Sequence, residues 1–290
     1  MSAIARSLPS VSTLLRLGRI SNLPTVWTNV LASSVISGGA RADQLGLLLA
    51  AMTAFYIGGM YLNDFFDRAV DARDRPGRPI HAGEITASAV SIVGFGMLAL
   101  GVVLMMPFGF AAAASGAVLA ATIVLYDVWH KGNALSPIVM GLCRALVYVG
   151  VAIALGGSIS QAAAIGALAL AAHVAGITYA AKQEELNRIG HLWPLLLLAA
   201  PLLLAWPLVP TWLLMAAMAL LLAVDASSVR LLARRPVPGA VPLAVSRLIA
   251  AICLVDAVAI GWAGGGPAMA ALCALGYPLT RAFQKIIPGT

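Results

Sequence analysis

Long apolar runs of about 20 residues, parted by short polar or Pro/Gly breaks, recur along this chain from Asn22 to Trp262. A helix needs roughly 20 apolar residues to cross the hydrocarbon layer of a bilayer. Runs of that length, repeated, commit the chain to an all-α membrane protein. Composition agrees: 61% of the 290 residues are hydrophobic, 10% are charged, and the mean hydropathy is +0.95. A soluble domain carries about 25% charged residues, so a water-soluble globular enzyme is excluded. Nine spans are expected near 22–40, 44–66, 86–106, 109–129, 134–155, 161–181, 191–209, 211–229 and 243–263. The shorter apolar stretch after Gly264-Gly265-Gly266 is expected to be interfacial or re-entrant. No linker or soluble segment breaks the pattern, so residues 1–290 read as one polytopic domain whose N-terminal run is a retained first span.

The formal charge of +7 does not point to nucleic acid, because the cations sit in short gaps between apolar runs. With the N-terminus cytoplasmic, fourteen of the eighteen Lys and Arg fall on inside segments, among them Arg16, Arg19, Arg73, Arg230 and Arg247. Outside loops hold only Arg41, as the positive-inside rule predicts for a multi-pass protein of a bacterial-type cell membrane. Cys143, Cys253 and Cys273 have neither disulfide nor metal-ligand spacing. Five of the eleven acids lie in 64–84, and Glu184 and Glu185 lie in another inside loop. Four crossings separate the two clusters, so both face one cytoplasmic mouth.

The run from Asn63 to Pro79 carries the chemistry. At about 100° per residue, Asn63, Asp64, Asp67, Asp71 and Asp74 fall within an arc of roughly 100°. Like charges this close on a helix repel, and a hard divalent cation offsets them. Mg²⁺ prefers oxygen ligands and is usually held by one or two carboxylates plus substrate phosphates. Arg68, Arg75 and Arg78 can take phosphate oxygens bidentately, while Pro76 and Pro79 stiffen the loop. Carboxylates and cations at a lipid-facing mouth imply a phosphorylated amphiphile. A solvated loop whose arginines set topology is the simpler alternative, disfavoured by a helical Asn/Asp face leaving a span directly.

Asn63-Asp64-x-x-Asp67-x-x-x-Asp71, followed by Arg75-Pro-x-Arg78-Pro79, resembles the first signature of the UbiA family of intramembrane prenyltransferases. The resemblance implies a ring of helices around a lipid-open central cavity. It also implies Mg²⁺-dependent transfer of a prenyl group from an isoprenoid diphosphate to a small lipophilic, often aromatic, acceptor. Asp64, Asp67 and Asp71 would be its catalytic carboxylates and, with Asn63, its metal ligands. The family's second Asp-rich motif corresponds here to Tyr179-Ala-Ala-Lys182-Gln183-Glu184-Glu185-Leu186-Asn187-Arg188. Its acids are glutamates, whose longer arms shift any metal they hold. The resemblance gives Glu184 and Glu185 as further metal ligands and Tyr179, Lys182 and Arg188 as diphosphate contacts. Tyr126 and Lys131, between spans four and five, carry over as diphosphate contacts, and the adjoining His130 reads as an interfacial bystander. The stretches Gly141-Leu-Cys-Arg144 and Val245-Ser-Arg247 to Asp256 resemble a bacterial subgroup encoded in ebo-type clusters.

Arg144 lies well inside span five, and an intramembrane charge usually faces a cavity or partner; Arg144 is therefore expected to line the pocket, as a further diphosphate contact. Asn22 and Asn29 could line its mouth, and Asp225 and Asp256 receive no role. Tyr61 or Tyr126 would face an allylic cation. No Ser/His or Cys/His pair offers a nucleophile. Two other classes compete: a non-catalytic carrier or scaffold for an amphipathic metabolite, and a phosphatidyltransferase, whose Asp-Gly-x-x-Ala-Arg run is absent.

Overall fold

The computed structural model describes residues 9–185, 191–204, 211–233 and 239–289. These form the helices α1 (Val11–Leu17), α2 (Leu23–Ile36), α3 (Ala42–Asp74), α4 (Ala87–Met105), α5 (Phe110–Trp129), α6 (Ser136–Gly156), α7 (Gln161–Glu185), α8 (Ala200–Leu204), α9 (Trp212–Ala233), α10 (Ala240–Trp262) and α11 (Pro267–Phe283). No strand occurs among the described residues. Helix starts follow local chemistry: the Ser10 and Thr86 hydroxyls accept from Thr13 N and Ala89 N, satisfying end donors the helix cannot pair itself. Gly157 ends α6 at a φ of 69°, a left-handed conformation open to glycine at no cost.

Seven helices, α3–α7, α9 and α10, are long and apolar enough to cross a membrane. They occupy seven of the nine expected segments. The other two are shorter. Helix α2 has 14 residues, about 21 Å at 1.5 Å per residue, because a 3₁₀ turn precedes it at Ile20–Asn22. Residues 193–204 pair a 3₁₀ segment with the brief α8, and the end of that expected span lies outside the described residues. Helix α3 does the opposite. Its 33 residues reach about 50 Å, so its last turns stand beyond the hydrocarbon layer and carry the acidic run out as helix.

The segment after Gly266 corrects the sequence expectation. It is a 17-residue helix docked along α10 and α2, with Cys273 and Gly276 buried. At its end Gln284 donates to Ser246 O near the start of α10 and to Asn22 Oδ1. Thus α11 runs back the length of α10 instead of lying on the surface. Small residues permit it: a Cβ on Gly276 would meet Cys253 Sγ at 2.8 Å.

In lipid, burial between helices gives little hydrophobic drive, so close packing of small residues matters more. Gly58 of α3 lies where an added Cβ would sit 2.8 Å from Gly94 O of α4, and at Gly141 of α6 it would sit 2.4 Å from Ala171 O of α7. Helix α10 is the most enclosed, buried without a break from Ala250 to Ile260 and packed against α2, α7, α9 and α11.

Candidate active site

A cavity of about 490 Å³ opens among α3, α5, α6, α7 and α10. Its polar side carries Asn63, Asp67, Arg75, Arg78, His130, Lys131 and Lys182, and its opposite wall is built from Met60, Met140, Val174, Ile177, Ile249 and Ile252. A side chamber of about 250 Å³ lies behind the polar rim, between Arg16, Arg19, Asp64 and Arg78. A narrower apolar branch of about 90 Å³ runs between Val26, Met52, Phe55, Leu119 and Val147. Tyr56, Tyr126 and Arg144 belong to both cavity and branch.

The α3 arc is real: Asn63, Asp64, Asp67 and Asp71 are buried on one face, while Asp74 is exposed and pairs with Arg73. Each acid has its own surroundings. Asp64 Oδ1 accepts from Arg78 Nη1 at 2.6 Å and Arg19 Nη2 at 3.2 Å. Burial and the neighbouring Arg19 guanidinium pull Arg78 below the usual arginine range. Asp67 meets His130 Nε2 at 3.4 Å and Lys131 Nζ at 3.5 Å. Asn63 accepts from Arg19 through Oδ1 and donates to Asp127 Oδ1 through Nδ2. Asp71 is buried on the same face but does not line the cavity.

Several expected site residues sit elsewhere. Arg68 lies with its guanidinium over the Phe65 ring at 4.3 Å and donates to Phe65 O, turned away from the cavity. The Tyr179 hydroxyl donates to His191 O, outside the cavity lining. Tyr61 donates to Leu14 O beneath α1; Tyr56 takes the wall position instead. Arg188 and the side chains of Glu184 and Glu185 lie outside the described residues. Arg75, Arg78, Tyr126, Lys131, Arg144 and Lys182 all line the cavity, Lys182 also donating to Asn133 O.

Three residues were missed by sequence reasoning. Arg19, counted as a topology charge, is the cation that joins Asn63 to Asp64. Its φ of 42° was the clue only structure could give, since a non-glycine residue at positive φ is uncommon. His130 is not a bystander: it is buried, stacks on Tyr126 with centroids 4.8 Å apart, and faces Asp67. Asp127 is buried beside Asn63 with Oδ2 unpartnered.

A second polar network lies deeper. Asp256 of α10, fully buried, accepts from Asn29 Nδ2 at 2.8 and 3.0 Å and from the Tyr148 hydroxyl at 2.6 Å. Asn29 Oδ1 in turn accepts from Arg144 Nη1 at 2.8 Å, and Thr25 Oγ1 from Arg144 Nη2 at 3.1 Å.

Among the described residues, no three of His, Cys, Asp or Glu gather closely enough to form a protein-only metal site. The α3 face nonetheless offers hard oxygen donors, and Asp127 behind Asn63, on the lining of the branch, keeps an orphaned carboxylate oxygen. That fits an ion taking one or two protein carboxylates and completing its shell from phosphates and water, as Mg²⁺ does.

Known proteins share this fold. A solved structure of digeranylgeranylglyceryl phosphate synthase in membranes superposes with a TM-score of 0.62 at 18% identity, covering 87% of this chain and 97% of that one. A UbiA homolog from Archaeoglobus fulgidus, solved with GPP and Mg²⁺, gives 0.60 at 14% identity, over 87% and 99% of the two chains. In sequence, the chain is 32% identical over 123 residues to the digeranylgeranylglyceryl phosphate synthase of Methanopyrus kandleri. That match spans 42% of this chain and 45%, under half, of that relative. Residues 21–235 match the UbiA prenyltransferase family, and the chain belongs to it.

Proposed function

We propose that this protein transfers a prenyl group from an isoprenoid diphosphate to a small lipophilic acceptor inside the membrane, with Mg²⁺ as cofactor. One observation carries the reading: buried Asp67 stands with Arg78, His130 and Lys131 at the rim of a cavity that adjoins an apolar branch, and Asp64 pairs with Arg78 from the side chamber behind it. The cations of the rim suit a diphosphate, and the apolar wall and the branch it leads into suit an isoprenoid tail. The synthase from Methanopyrus kandleri and the GPP- and Mg²⁺-bound homolog lend the donor chemistry support. With the rim taken as the inner mouth, the N-terminus and active-site loops are cytoplasmic, in line with the Lys/Arg asymmetry.

Asp64, Asp67 and Asn63 would hold the metal, which supplies positive charge against the leaving diphosphate when bound. Arg75, Arg78, Lys131 and Lys182 donate to diphosphate oxygens as the allylic C1–O bond breaks and charge accumulates there. Donors fixed in advance where charge develops are worth far more than mobile water. The rings of Tyr56 and Tyr126, at the junction of cavity and branch, face the allylic cation. Apolar walls keep water from capturing it. The acceptor attacks C1 and releases its proton, so no side-chain nucleophile is needed.

Reconstituted protein incubated with Mg²⁺, labelled geranyl or farnesyl diphosphate and a panel of acceptors tests the proposal. Labelled prenyl product and released diphosphate are expected. Binding of the donor with neither product nor diphosphate release would establish a carrier instead.

A further inference from the structure

Helix α11 returns the chain to the cavity, and the residues that follow it carry it across the rim. Gln284, just past α11, is tied to Ser246 O at the start of α10 and to Asn22 Oδ1. Pro288 then faces the side chamber together with Arg16, Arg19 and Arg78, and Gly289, buried, lines the main cavity. A stretch that begins against α10 thus ends among the guanidiniums of the rim. It crosses the polar end of the cavity as a strap.

One side chain holds it at both ends. Asn22, buried in the 3₁₀ turn before α2, accepts from Gln284 Nε2 through Oδ1 and donates to Gly289 O through Nδ2, each at 2.9 Å. The second contact leaves no room for a side chain: a Cβ on residue 289 would meet Asn22 Oδ1 at 2.7 Å and Nδ2 at 3.0 Å. Hydrogen bonds between neutral groups contribute modestly, and Lys285 and Ile286, between the two ties, are exposed. Segments with few buried contacts open locally at small cost. Helix α11 itself is anchored differently, by buried Cys273, Gly276 and Thr280. The strap can therefore lift while the helix before it stays docked. It also brings no acid to the rim, so it does not compete with a charged ligand for the arginines.

We infer that residues 285–289 open to admit the diphosphate headgroup and close over it, with Asn22 as the positioning residue that latches them. Closed, the strap keeps bulk water from the breaking C1–O bond and slows escape of the donor. The inference rests on the prenyl-transfer reading for the identity of the ligand, while closure over a diphosphate can be read without turnover.

The test uses the full chain in nanodiscs, with Ile287→Cys as a reporter on the strap; the three native cysteines are buried. Alkylation by a charged, water-soluble maleimide reads opening. Mg²⁺ with geranyl S-thiolodiphosphate, a donor analogue that resists ionisation, should slow labelling roughly tenfold by favouring the closed form. Gly289→Ala adds one carbon against Asn22 and should speed labelling of the free protein about tenfold, as loss of one hydrogen bond does. Without the reporter substitution, Gly289→Ala should speed release of radiolabelled analogue by a similar factor and melt like wild type. Asn22→Ala should speed labelling and release equally, and the double variant no further, because both changes undo one latch. With labelled geranyl diphosphate, Mg²⁺ and no acceptor, Gly289→Ala should release several-fold more geraniol than wild type. Unchanged labelling and release in both single variants would overturn the inference. So would binding of the analogue with no slowing of labelling, and the prenyl-transfer reading would then still stand. If the analogue does not bind but Mg²⁺ with inorganic diphosphate slows labelling, that reading falls and the strap remains. Binding of neither ligand overturns both.

Discussion

The rim and the floor of the cavity both join acids to arginines, yet they are built on opposite plans. At the rim Asp64 touches two guanidiniums directly, and Asp67 faces Lys131 and His130 along the cavity lining. On the floor Asp256 and Arg144 are kept apart by an amide, and Asp256 is fully enclosed. The rim pairs are also largely enclosed, but their cations line a cavity, so an entering anion can take the place of a carboxylate on them. A buried hydrogen-bonded carboxylate cannot lose a partner without leaving dry polar groups unsatisfied. The rim is thus suited to exchange its internal partners for a charged ligand, and the floor to hold one shape.

The largest expected break in that contrast is Asp67→Ala. Mg²⁺-dependent transfer should fall by roughly a thousandfold, as removal of key charge-stabilising groups does, with the melting midpoint shifted by no more than a few degrees. Full turnover by this variant, read with labelled donor, would remove the rim from the chemistry. Asp256→Ala should do the reverse to the fold, costing about 3 kcal/mol as Asn29 Nδ2 and the Tyr148 hydroxyl lose their acceptor; thermal or denaturant melting in detergent reads it. An unchanged midpoint would make the floor as pliable as the rim. Lys131→Met comes next: the donor KM should rise about tenfold, equivalent to about 1.4 kcal/mol, with the acceptor KM steady.

The smallest effect lies at the edge of the rim, outside the membrane. The Thr13 hydroxyl and the Arg16 guanidinium hold the Glu84 carboxyl below its usual range. Its folded-state value is lowered, so the stabilisation is fully present above an ordinary glutamate's 4.5 and disappears as pH falls through the lowered value. Glu84→Gln should flatten stability across that acidic window by at most about 1 kcal/mol, and less in high salt. A flat wild-type profile there would show that the contact contributes nothing.

How much of this was legible in the residues depends on whether the cause was local. The Asn63–Asp71 arc followed from helical rise alone, and the structure buries that face. The same geometry puts Arg68 near 140° from Asn63, on the side of Phe65, where it is found; counting it as a phosphate contact weighed charge over angle. Arg19 and His130 were hidden because their roles come from partners 37 or more residues away. The cost of an intramembrane charge marked Arg144 as needing company, but Asn29 and Asp256 lie 227 residues apart in sequence and meet only through packing of α2 on α10. Helix α11 was expected to be interfacial or re-entrant for a simpler reason: a 17-residue helix with Arg281 at its end looks too short to cross.

The contact between Gly141 and the Ala171 carbonyl has a mechanical consequence. Backbones that meet without a side-chain cushion cannot slide or rock past one another, so α6 and α7 travel as a single plank. That plank carries Arg144 and Lys182 together, one cation deep and one near the opening. Gly58 against Gly94 fastens α3 to α4 in the same manner, with Asp67 aboard. Headgroup contacts carried on one such pair therefore keep a fixed spacing relative to each other.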